Sequence, residues 1–312
     1  MSIDIQQHVP LGPLTTFQIG GPARWYVTVS GEDEIKEALQ YARDRNIHWV
    51  LLAGSSNVLL PDEGIHALVI HITEGRHVFS SPALRTDAGC NLLHLIEEAA
   101  KKRLGGWEKL AGIPGTIGGA VRGNAGAFGS EIKDFVTSVR IIDTETLEGR
   151  GFVHPYMDFS YRNSTFKHHP EWIITSVTFE LSSVKQEESK ALIAATIAER
   201  EKRHLQNVRA AGSFFMNPIA SAQVVAMFEK EKKVKSRENR VPAGWLIEKA
   251  GMKGAQVGGA QASLQHPNYI VNVKNAKAAD VLELAAQIRA KVKEQFDVEL
   301  KEEAAVFHNL TT

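Results

Sequence analysis

Apolar residues alternate between helical and strand spacing in the first part of the chain. From Glu32 to Asn46 they recur at the i, i+3, i+4 and i+7 positions of one helix face. Short apolar runs flank this segment, at Trp25–Val29, Trp49–Ala53 and Ala67–Ile72. Runs of that length with β-branched residues are typical of buried strands. The pattern therefore predicts a helix packed against several strands.

The rest of the chain continues this mixture of helices and strands. Its spacing predicts helices at Asn91–Lys102, Ala220–Lys232 and Asp280–Phe296, and strands at Val136–Asp143 and Trp172–Leu181. A domain break is predicted near 183–207, where the polar run SSVKQEESK leads into a charged helix that continues through Arg203. The chain is therefore expected to have mixed α and β structure in more than one domain.

Two glycine-bearing loops lie between the predicted elements. The first, residues 54–57 (Gly-Ser-Ser-Asn), follows a strand directly and offers successive backbone N–H groups and two hydroxyls. The second lies within Leu110–Gly129, which contains seven glycines and one ionisable side chain, that of Arg122. Glycine at this density costs folding free energy unless the backbone must turn or lie against a ligand. Converging N–H groups suit a diphosphate, so the two loops are predicted to clamp an elongated cofactor. A glycine-rich packing corner is the alternative.

Composition narrows the class of protein. The chain has 312 residues, of which 43% are hydrophobic, enough for sizeable cores. Its 36 basic and 36 acidic side chains cancel, so nothing indicates binding to nucleic acid. The single cysteine, Cys90, excludes an internal disulfide framework. No apolar run reaches the roughly 18 residues of a membrane span, and the N-terminus lacks a secretory pattern. A cytoplasmic protein without membrane insertion is predicted.

The common nucleotide and metal motifs are absent from the sequence. There is no G-x-G-x-x-G after a strand and no G-x-x-x-x-G-K-[ST], so a dinucleotide would not be held in the Rossmann manner. Neither H-E-x-x-H nor paired C-x-x-C occurs, and no metal site is predicted.

A series of short motifs, in one order along nearly the whole chain, resembles the UDP-N-acetylenolpyruvoylglucosamine reductase family. The motifs are Thr15-Thr16-Phe17, Gly20-Gly21-Pro22-Ala23, Gly54 to Leu59, Gly112-Ile113-Pro114-Gly115, Asn124-Ala125-Gly126, Tyr161-Arg162 with Ser164, Gly212-Ser213, Asn217-Pro218, Leu246-Ile247-Glu248, Lys253-Gly254 and Glu303. Their joint order is far more specific than any one of them. The chain resembles the shorter form of the family, which lacks an extra tyrosine-bearing insertion.

The resemblance implies an α+β fold of the vanillyl-alcohol-oxidase-like (PCMH) type. Two FAD-binding subdomains, 1–72 and 73–204, would sandwich the flavin. Residues 205–312 would form an α/β substrate-binding domain and the C-terminal catalytic segment. The implied reaction is NADPH-dependent, FAD-mediated reduction of UDP-N-acetylglucosamine enolpyruvate to UDP-N-acetylmuramic acid in peptidoglycan biosynthesis. NADPH and this substrate are therefore the expected partners, and the oligomeric state is left open.

Hydride addition to an enolpyruvyl ether places negative charge on the carboxylate, and the neighbouring carbon then needs a proton. The resemblance assigns the carboxylate to Arg162, whose guanidinium fork matches it, and the proton to Ser213. It assigns assistance of Arg162 to Glu303, with the neighbouring Glu302 as the alternative register. Local sequence alone leaves three other interpretations open: a surface salt bridge for the arginine, a turn role for the serine, and an exposed strand end for the glutamate.

By the same resemblance, the FAD-binding residues come from the two glycine loops. They are Gly54, Ser55, Ser56 and Asn57 on one side of the diphosphate, Gly115, Thr116, Gly118 and Gly119 on the other, and Asn124, Ala125 and Gly126 near the flavin ring. The first loop lacks a histidine that could tether the flavin, and Cys90 is expected in the core. Non-covalent FAD is therefore expected.

The substrate is expected to contact Tyr161, Asn217 and Lys253. This chain departs from the family at three positions: Met216 stands where a lysine is usual, Gly123 where a methionine is common, and Asn207 where a proline is usual. Loss of the lysine removes a partner for the substrate's diphosphate.

Two other functions fit parts of this pattern. An FAD-dependent oxidase of an alcohol or sugar lactone would keep both glycine loops but would not need the Arg162, Ser213 and Glu303 set. A flavin- or nucleotide-sugar-binding module without catalysis is the second alternative, and Met216 and Gly123 favour it.

Overall fold

A four-stranded sheet with one long helix on its face forms the first region of the computed structural model, which describes residues 3–203 and 208–307. The elements are β1 (Gln6–Pro10), β2 (Pro22–Val29), α1 (Glu32–Asp44), β3 (Trp49–Leu52), β4 (Val58–Leu59) and β5 (Ile65–Ile72). The sheet order is β1-β2-β5-β3, with β5 parallel to both β2 and β3. The predicted helix face is confirmed, because Ile35, Ala38, Leu39 and Ala42 are the buried residues of α1.

The second region is built on a five-stranded antiparallel sheet with helices on one side. Its elements are β6 (His77–Ser80), β7 (Ala83–Asp87), α2 (Leu92–Lys101), β8 (Leu104–Gly105), α3 (Ile117–Arg122), β9 (Gly126–Ala127), β10 (Ser130–Glu131), β11 (Val136–Asp143), β12 (Gly149–Val153), α4 (Thr165–His168), β13 (Trp172–Glu180), β14 (Ser182–Ser183) and α5 (Gln186–Lys202). The sheet order is β12-β11-β13-β7-β6. Buried aromatic rings fill its core, where the Trp107 and Phe179 ring centroids lie 5.3 Å apart.

The third region packs helices around a small sheet. Its elements are α6 (Ala222–Lys232), α7 (Ala243–Lys249), β15 (Gln256–Val257), β16 (Ala260–Ala262), β17 (Ile270–Asn272), α8 (Ala278–Phe296) and β18 (Ala305–Val306). The apolar face expected on the last helix is confirmed, since Val281, Leu284, Ala285, Ile288 and Val292 are all buried. After α8 the chain returns to the first region, where β18 pairs in parallel with β4.

The hydrophobic cores cross the boundaries expected from the sequence. Ile142 and Ile173 of the second sheet belong to the core under α1. Phe17 and Leu59 of the first region belong to the core around α8. The boundary expected at 204/205 falls outside the described residues, and the three-part division stays a prediction. Within the described ranges, no helix is long and apolar enough to cross a membrane.

Candidate active site

Arg162 and Glu303 form an ion pair at the point where the second and third regions meet. The Arg162 Nε and a Glu303 carboxylate oxygen are 2.5 Å apart, and both side chains are largely buried. Burial raises the pKa of Glu303, although the positive charge of Arg162 opposes the rise. A carboxyl that holds its proton above the usual range, beside a permanent cation, is suited to an anionic ligand and to proton transfer.

Arg162 lies at the tip of a tight four-residue turn. Ser160 and Asn163 exchange backbone hydrogen bonds at 3.1 Å, and Arg162 has a left-handed backbone with φ of 55°. The fully buried Asn124, also left-handed, donates its side-chain amide to the Ser160 carbonyl at 2.9 Å. Strained backbone of this kind persists only where its surroundings hold it. The Asn124 side chain, expected near the flavin ring, is thus engaged in fixing the turn that carries Arg162.

The backbone around Glu303 is tied to the first glycine loop and to the segment after Ser213. Asn57 donates its side-chain amide to the Glu303 carbonyl at 3.0 Å. The Glu303 N–H in turn donates to the Phe214 carbonyl at 2.8 Å. Ser213 precedes Phe214 directly and follows Gly212, which has a φ of 71°. The structure therefore brings the three expected catalytic residues into one neighbourhood.

The choice between two neighbouring glutamates has a clear geometric answer. Glu302 pairs with Arg289 of α8, with a guanidinium nitrogen 2.7 Å from its carboxylate. Glu303 faces Arg162 instead. The alternating directions of successive side chains along an extended segment explain why only one of the two reaches the turn.

The two glycine loops lie in direct contact with each other. A Cβ on Gly54 would lie 2.7 Å from the Gly115 Cα, so only glycine permits this approach. The Ser56 hydroxyl donates to the Pro114 carbonyl at 3.0 Å, and the Ser55 hydroxyl donates to the Ala53 carbonyl at 3.1 Å. The two loops therefore form one continuous edge, and their placement on two sides of a diphosphate stays a prediction.

One part of this edge has room and a free hydroxyl for a ligand. The Thr116 Oγ1 is buried without a hydrogen-bond partner. Gly119 is exposed, and a Cβ there would meet only that hydroxyl, at 3.7 Å. Gly118 differs, because its Cβ would lie 2.9 Å from the Ala88 Cβ inside the protein. A side chain at Gly118 would enter the protein interior, so Gly119 is the glycine that borders open space.

Tyr161 and Asn217 meet beside the ion pair. The Asn217 N–H donates to the Tyr161 hydroxyl at 3.3 Å, and burial raises the pKa of that hydroxyl. The Asn217 side-chain oxygen accepts from the Ala243 N–H at 3.0 Å, so it is already engaged. Lys253 pairs with Glu248 at 2.8 Å, and no contact joins it to Arg162 or Glu303 within the described residues.

Sequence reasoning missed two cations that the structure adds to this neighbourhood. Arg240 donates to the Asn217 carbonyl at 3.0 Å, and its guanidinium lies 4.5 Å from the Tyr161 ring centroid. Lys167 donates to the Arg162 carbonyl at 3.0 Å. Arg240 carries no local sequence signal, because a turn between α6 and α7 brings it to the site. Lys167 stands only five residues after Arg162, and this proximity was a signal that could have been used.

Comparison with known proteins identifies the family of this chain. Residues 203–307 match the family described as UDP-N-acetylenolpyruvoylglucosamine reductase, C-terminal domain, and residues 23–146 match the FAD binding domain family. The UDP-N-acetylenolpyruvoylglucosamine reductase of Synechococcus sp. is 34% identical, over 97% of this chain and 91% of that protein. The protein of the same name from Heliobacterium modesticaldum is 35% identical, over 96% and 90%. The chain belongs to this reductase family.

A solved member of the family also has the same fold. The UDP-N-acetylenolpyruvylglucosamine reductase of Thermus caldophilus superposes with a TM-score of 0.74 at 30% identity, covering 99% of this chain and 100% of that one. The α+β class expected from the sequence motifs is thereby confirmed. In the described part of the chain, no group of three or more His, Cys, Asp or Glu side chains is placed to hold a metal ion.

Proposed function

We propose that this protein reduces UDP-N-acetylglucosamine enolpyruvate to UDP-N-acetylmuramic acid with NADPH and non-covalent FAD, in peptidoglycan synthesis. The observation that carries the proposal is the buried Arg162–Glu303 pair, 2.5 Å apart and joined through the Glu303 backbone to Asn57 and Phe214. The family relationship over 97% of the chain supports it. Because both substrates are intracellular nucleotides, the proposed location is the cytoplasm.

The residues present fit FAD. Backbone N–H groups of residues 54–57, Thr116 and Gly119, together with the unpartnered Thr116 hydroxyl, would hold the diphosphate beside the open face of Gly119. The N–H groups of Ile117 and Gly118 take no part, because they donate to the Cys90 and Ala88 carbonyls. Ala125 and Gly126, next to the Arg162 turn, would lie near the flavin ring. The 54–57 loop contains no histidine or cysteine that could tether the flavin. When bound, FAD accepts a hydride from NADPH and makes it available to the second substrate.

Arg162 is proposed to stabilise the charge that the reaction creates. When the terminal carbon of the enolpyruvyl group gains hydride, an electron pair moves toward the carboxylate. A guanidinium that is fixed before the reaction begins stabilises that charge without reorganisation. Its strained, anchored turn supplies this fixation. Glu303 holds the guanidinium from the other side and, with its raised pKa, tolerates the approach of an anion better than a fully ionised carboxylate would.

Ser213 is proposed to complete the reaction by protonating the neighbouring carbon. A hydroxyl is a weak acid, so it acts only on a strongly basic carbon in a site from which water is excluded. Ser213 is half-buried, between Gly212 and the fully buried Phe214. The hydride and the proton together convert the vinyl group into the lactyl group of the product.

The substrate's diphosphate is proposed to lie near Tyr161, Asn217 and Arg240. Arg240 places a positive charge beside Asn217, next to the position where Met216 replaces the family's usual lysine. Its Nη1 donates to the Asn217 carbonyl, and its Nε lies 3.4 Å from a carboxylate oxygen of the exposed Glu238. Lys253 would first have to leave Glu248, and its role in substrate binding stays a prediction.

Two half-reactions, measured separately, test this function. The purified protein should be yellow, release intact FAD on denaturation and lose its flavin colour anaerobically on addition of NADPH. UDP-N-acetylglucosamine enolpyruvate should then reoxidise it. Flavin that NADPH does not reduce, but that an alcohol or sugar lactone does, would identify an oxidase instead. A protein that binds the sugar nucleotide without any flavin reduction would be a binding module.

A further inference from the structure

Lys167 contacts the Arg162 turn and has no part in the chemistry described above. It lies on the short helix α4, and its ammonium group donates to the Arg162 carbonyl at 3.0 Å. Burial, followed by repulsion from Arg122, lowers its pKa. A half-buried ammonium among cations is costly, so compensating contacts must hold it there.

The bonded carbonyl lies at the most strained point of the turn. Ser160 and Asn163 close the base of the turn, and Asn124 fixes the carbonyl of Ser160. The Asn163 N–H of the Arg162–Asn163 peptide already donates to the Ser160 carbonyl, so this peptide is held at its N–H end and its carbonyl end points the opposite way. Lys167 binds that peptide itself, at a residue with φ of 55°. A charge-assisted hydrogen bond at this point holds the left-handed conformation that aims the guanidinium.

The charge of Lys167 also acts across the site. The charged groups that face it from neighbouring elements are Arg122 of α3, Arg162 of the turn and Glu303 of the C-terminal segment. After Arg162, Lys167 is the cation that most favours the ionised form of Glu303. One side chain therefore holds the backbone of Arg162 and balances the charge of its partner.

We propose that Lys167 is a positioning residue for the reduction: it fixes the Arg162 peptide and keeps the Arg162–Glu303 pair aligned toward the substrate carboxylate. This inference rests on the proposed function. It assigns Lys167 no contact with flavin, NADPH or substrate, so its loss should affect one half-reaction only.

Three substitutions separate the hydrogen bond from the charge. Lys167→Met removes both, Lys167→Gln keeps a donor without the charge, and Lys167→Arg keeps both. Ser164→Ala is the matched control, because its buried hydroxyl anchors the same segment to the Arg122 carbonyl at 2.8 Å without any charge. Lys185→Met, at an exposed lysine, controls for loss of a surface charge.

Flavin content and NADPH reduction should remain at wild-type levels in all five variants. Reoxidation by the substrate should be about tenfold slower in Lys167→Met, the typical effect of one lost charge-assisted hydrogen bond. The Kd of the substrate should change less than the rate. Lys167→Arg should recover most of the rate, and Lys167→Gln should recover less.

A readout independent of turnover completes the test. The carboxyl ¹³C resonance of Glu303, followed against pH, should titrate at higher pH in Lys167→Met than in wild type, because a favourable positive charge is gone. An unchanged titration would overturn the proposal even if wild type proves inactive, in which case the proposed function fails separately. Equal slowing of both half-reactions, or the same defect in Ser164→Ala, would also overturn it. If Lys167→Met does not retain its flavin, the other two variants provide the test. Equal reoxidation rates in Lys167→Arg and Lys167→Gln would then overturn the proposal.

Discussion

Asn57 donates its side-chain amide to the backbone carbonyl of Glu303 at 3.0 Å, across 246 residues of sequence. The N–H of Ala305 returns a hydrogen bond to the Asn57 carbonyl at 2.9 Å. The loop proposed to hold the FAD diphosphate and the carboxylate proposed to assist the substrate are therefore one hydrogen-bonded unit. Changes at either end of this unit should affect the other.

Glu303→Gln should slow flavin reoxidation, while Glu302→Gln should leave it almost unchanged. The first change weakens the partner of Arg162, and loss of such electrostatic support typically costs about a hundredfold in rate. The second removes only the partly exposed pair with Arg289, worth about 0.2–1 kcal/mol of stability. Stopped-flow reoxidation of both variants after NADPH reduction measures the difference. A larger defect in Glu302→Gln would reverse the assignment.

The free energy of unfolding should depend on pH through Glu303. Burial raises its pKa in the folded state above the ordinary value of 4.5. A group with a raised folded pKa contributes stability below its unfolded pKa and loses that contribution as pH rises through the folded value. Glu303→Gln should remove this slope, so the variant should gain stability relative to wild type as pH rises from 4.5. Urea unfolding at a series of pH values measures the free energy of unfolding of each protein, with Glu302→Gln as the control. If the idea is wrong, the curves of wild type and Glu303→Gln against pH will be parallel.

Gly119→Val should abolish flavin binding and leave the fold intact. Its side chain would extend into the open space beside the Thr116 hydroxyl, where the diphosphate is proposed to lie. Gly118→Ala is the contrasting variant, since its Cβ would lie 2.9 Å from the Ala88 Cβ. Crowding of that kind typically costs about 1–3 kcal/mol, so Gly118→Ala should lower Tm. Flavin absorbance and thermal unfolding distinguish the two variants. Stoichiometric flavin in Gly119→Val would show that the diphosphate does not lie beside Gly119.

Ser213→Ala should bind FAD and be reduced by NADPH normally, yet be slow in the reaction with the enolpyruvyl substrate. Hydride delivery and protonation are separate events, and only the second needs the hydroxyl. Ser213→Cys offers a more acidic group and should recover part of the rate if the sulfur fits. Single-turnover reduction and reoxidation should be measured for both. If Ser213→Ala is reoxidised at the wild-type rate, Ser213 is not the proton donor and its role is only that of a residue in a turn.

Arg240→Gln should weaken substrate binding more than it slows the chemical step. Its positive charge is proposed to face the diphosphate beside Asn217, and loss of one charge-assisted contact costs about 1.5–3 kcal/mol, roughly tenfold or more in Kd. Met216→Lys in the same background should restore affinity. Lys253→Met serves as the comparison, and titration of each variant with substrate gives the Kd values. A larger effect in Lys253→Met would move the diphosphate site to that lysine.

Local periodicity predicted the helices and strands well, because the spacing of apolar residues along the sequence determines which face of an element is buried. The four buried residues of α1, and five of the seven buried residues of α8, are those expected from the pattern. Expectations about glycines were less exact. The sequence predicts that neither Gly118 nor Gly119 has room for a side chain. Only the packing against Ala88 shows that Gly118 is the one that faces the protein interior.

The contacts across the site could not be predicted from the spacing of residues. Arg240 reaches Tyr161 and Asn217 through the arrangement of α6 and α7, and nothing in its neighbours indicates a ligand. The choice between Glu302 and Glu303 depended on a side-chain direction that one residue of register reverses. Motif order proposed Arg162, Ser213 and Glu303 as a catalytic set, which stays a prediction, whereas the contacts that join their segments became visible only in three dimensions.

The parallel pairing of β18 with β4 has a consequence for biosynthesis. The ribosome makes residues 54–57 early and Glu303 long after them. Two short strands then join segments that are translated far apart in time. A nascent or proteolysed chain that stops before residue 303 would contain both glycine loops and the arginine turn, but no carboxylate opposite Arg162. The pair opposite Arg162 is therefore incomplete until residue 303 has been translated and β18 has joined β4.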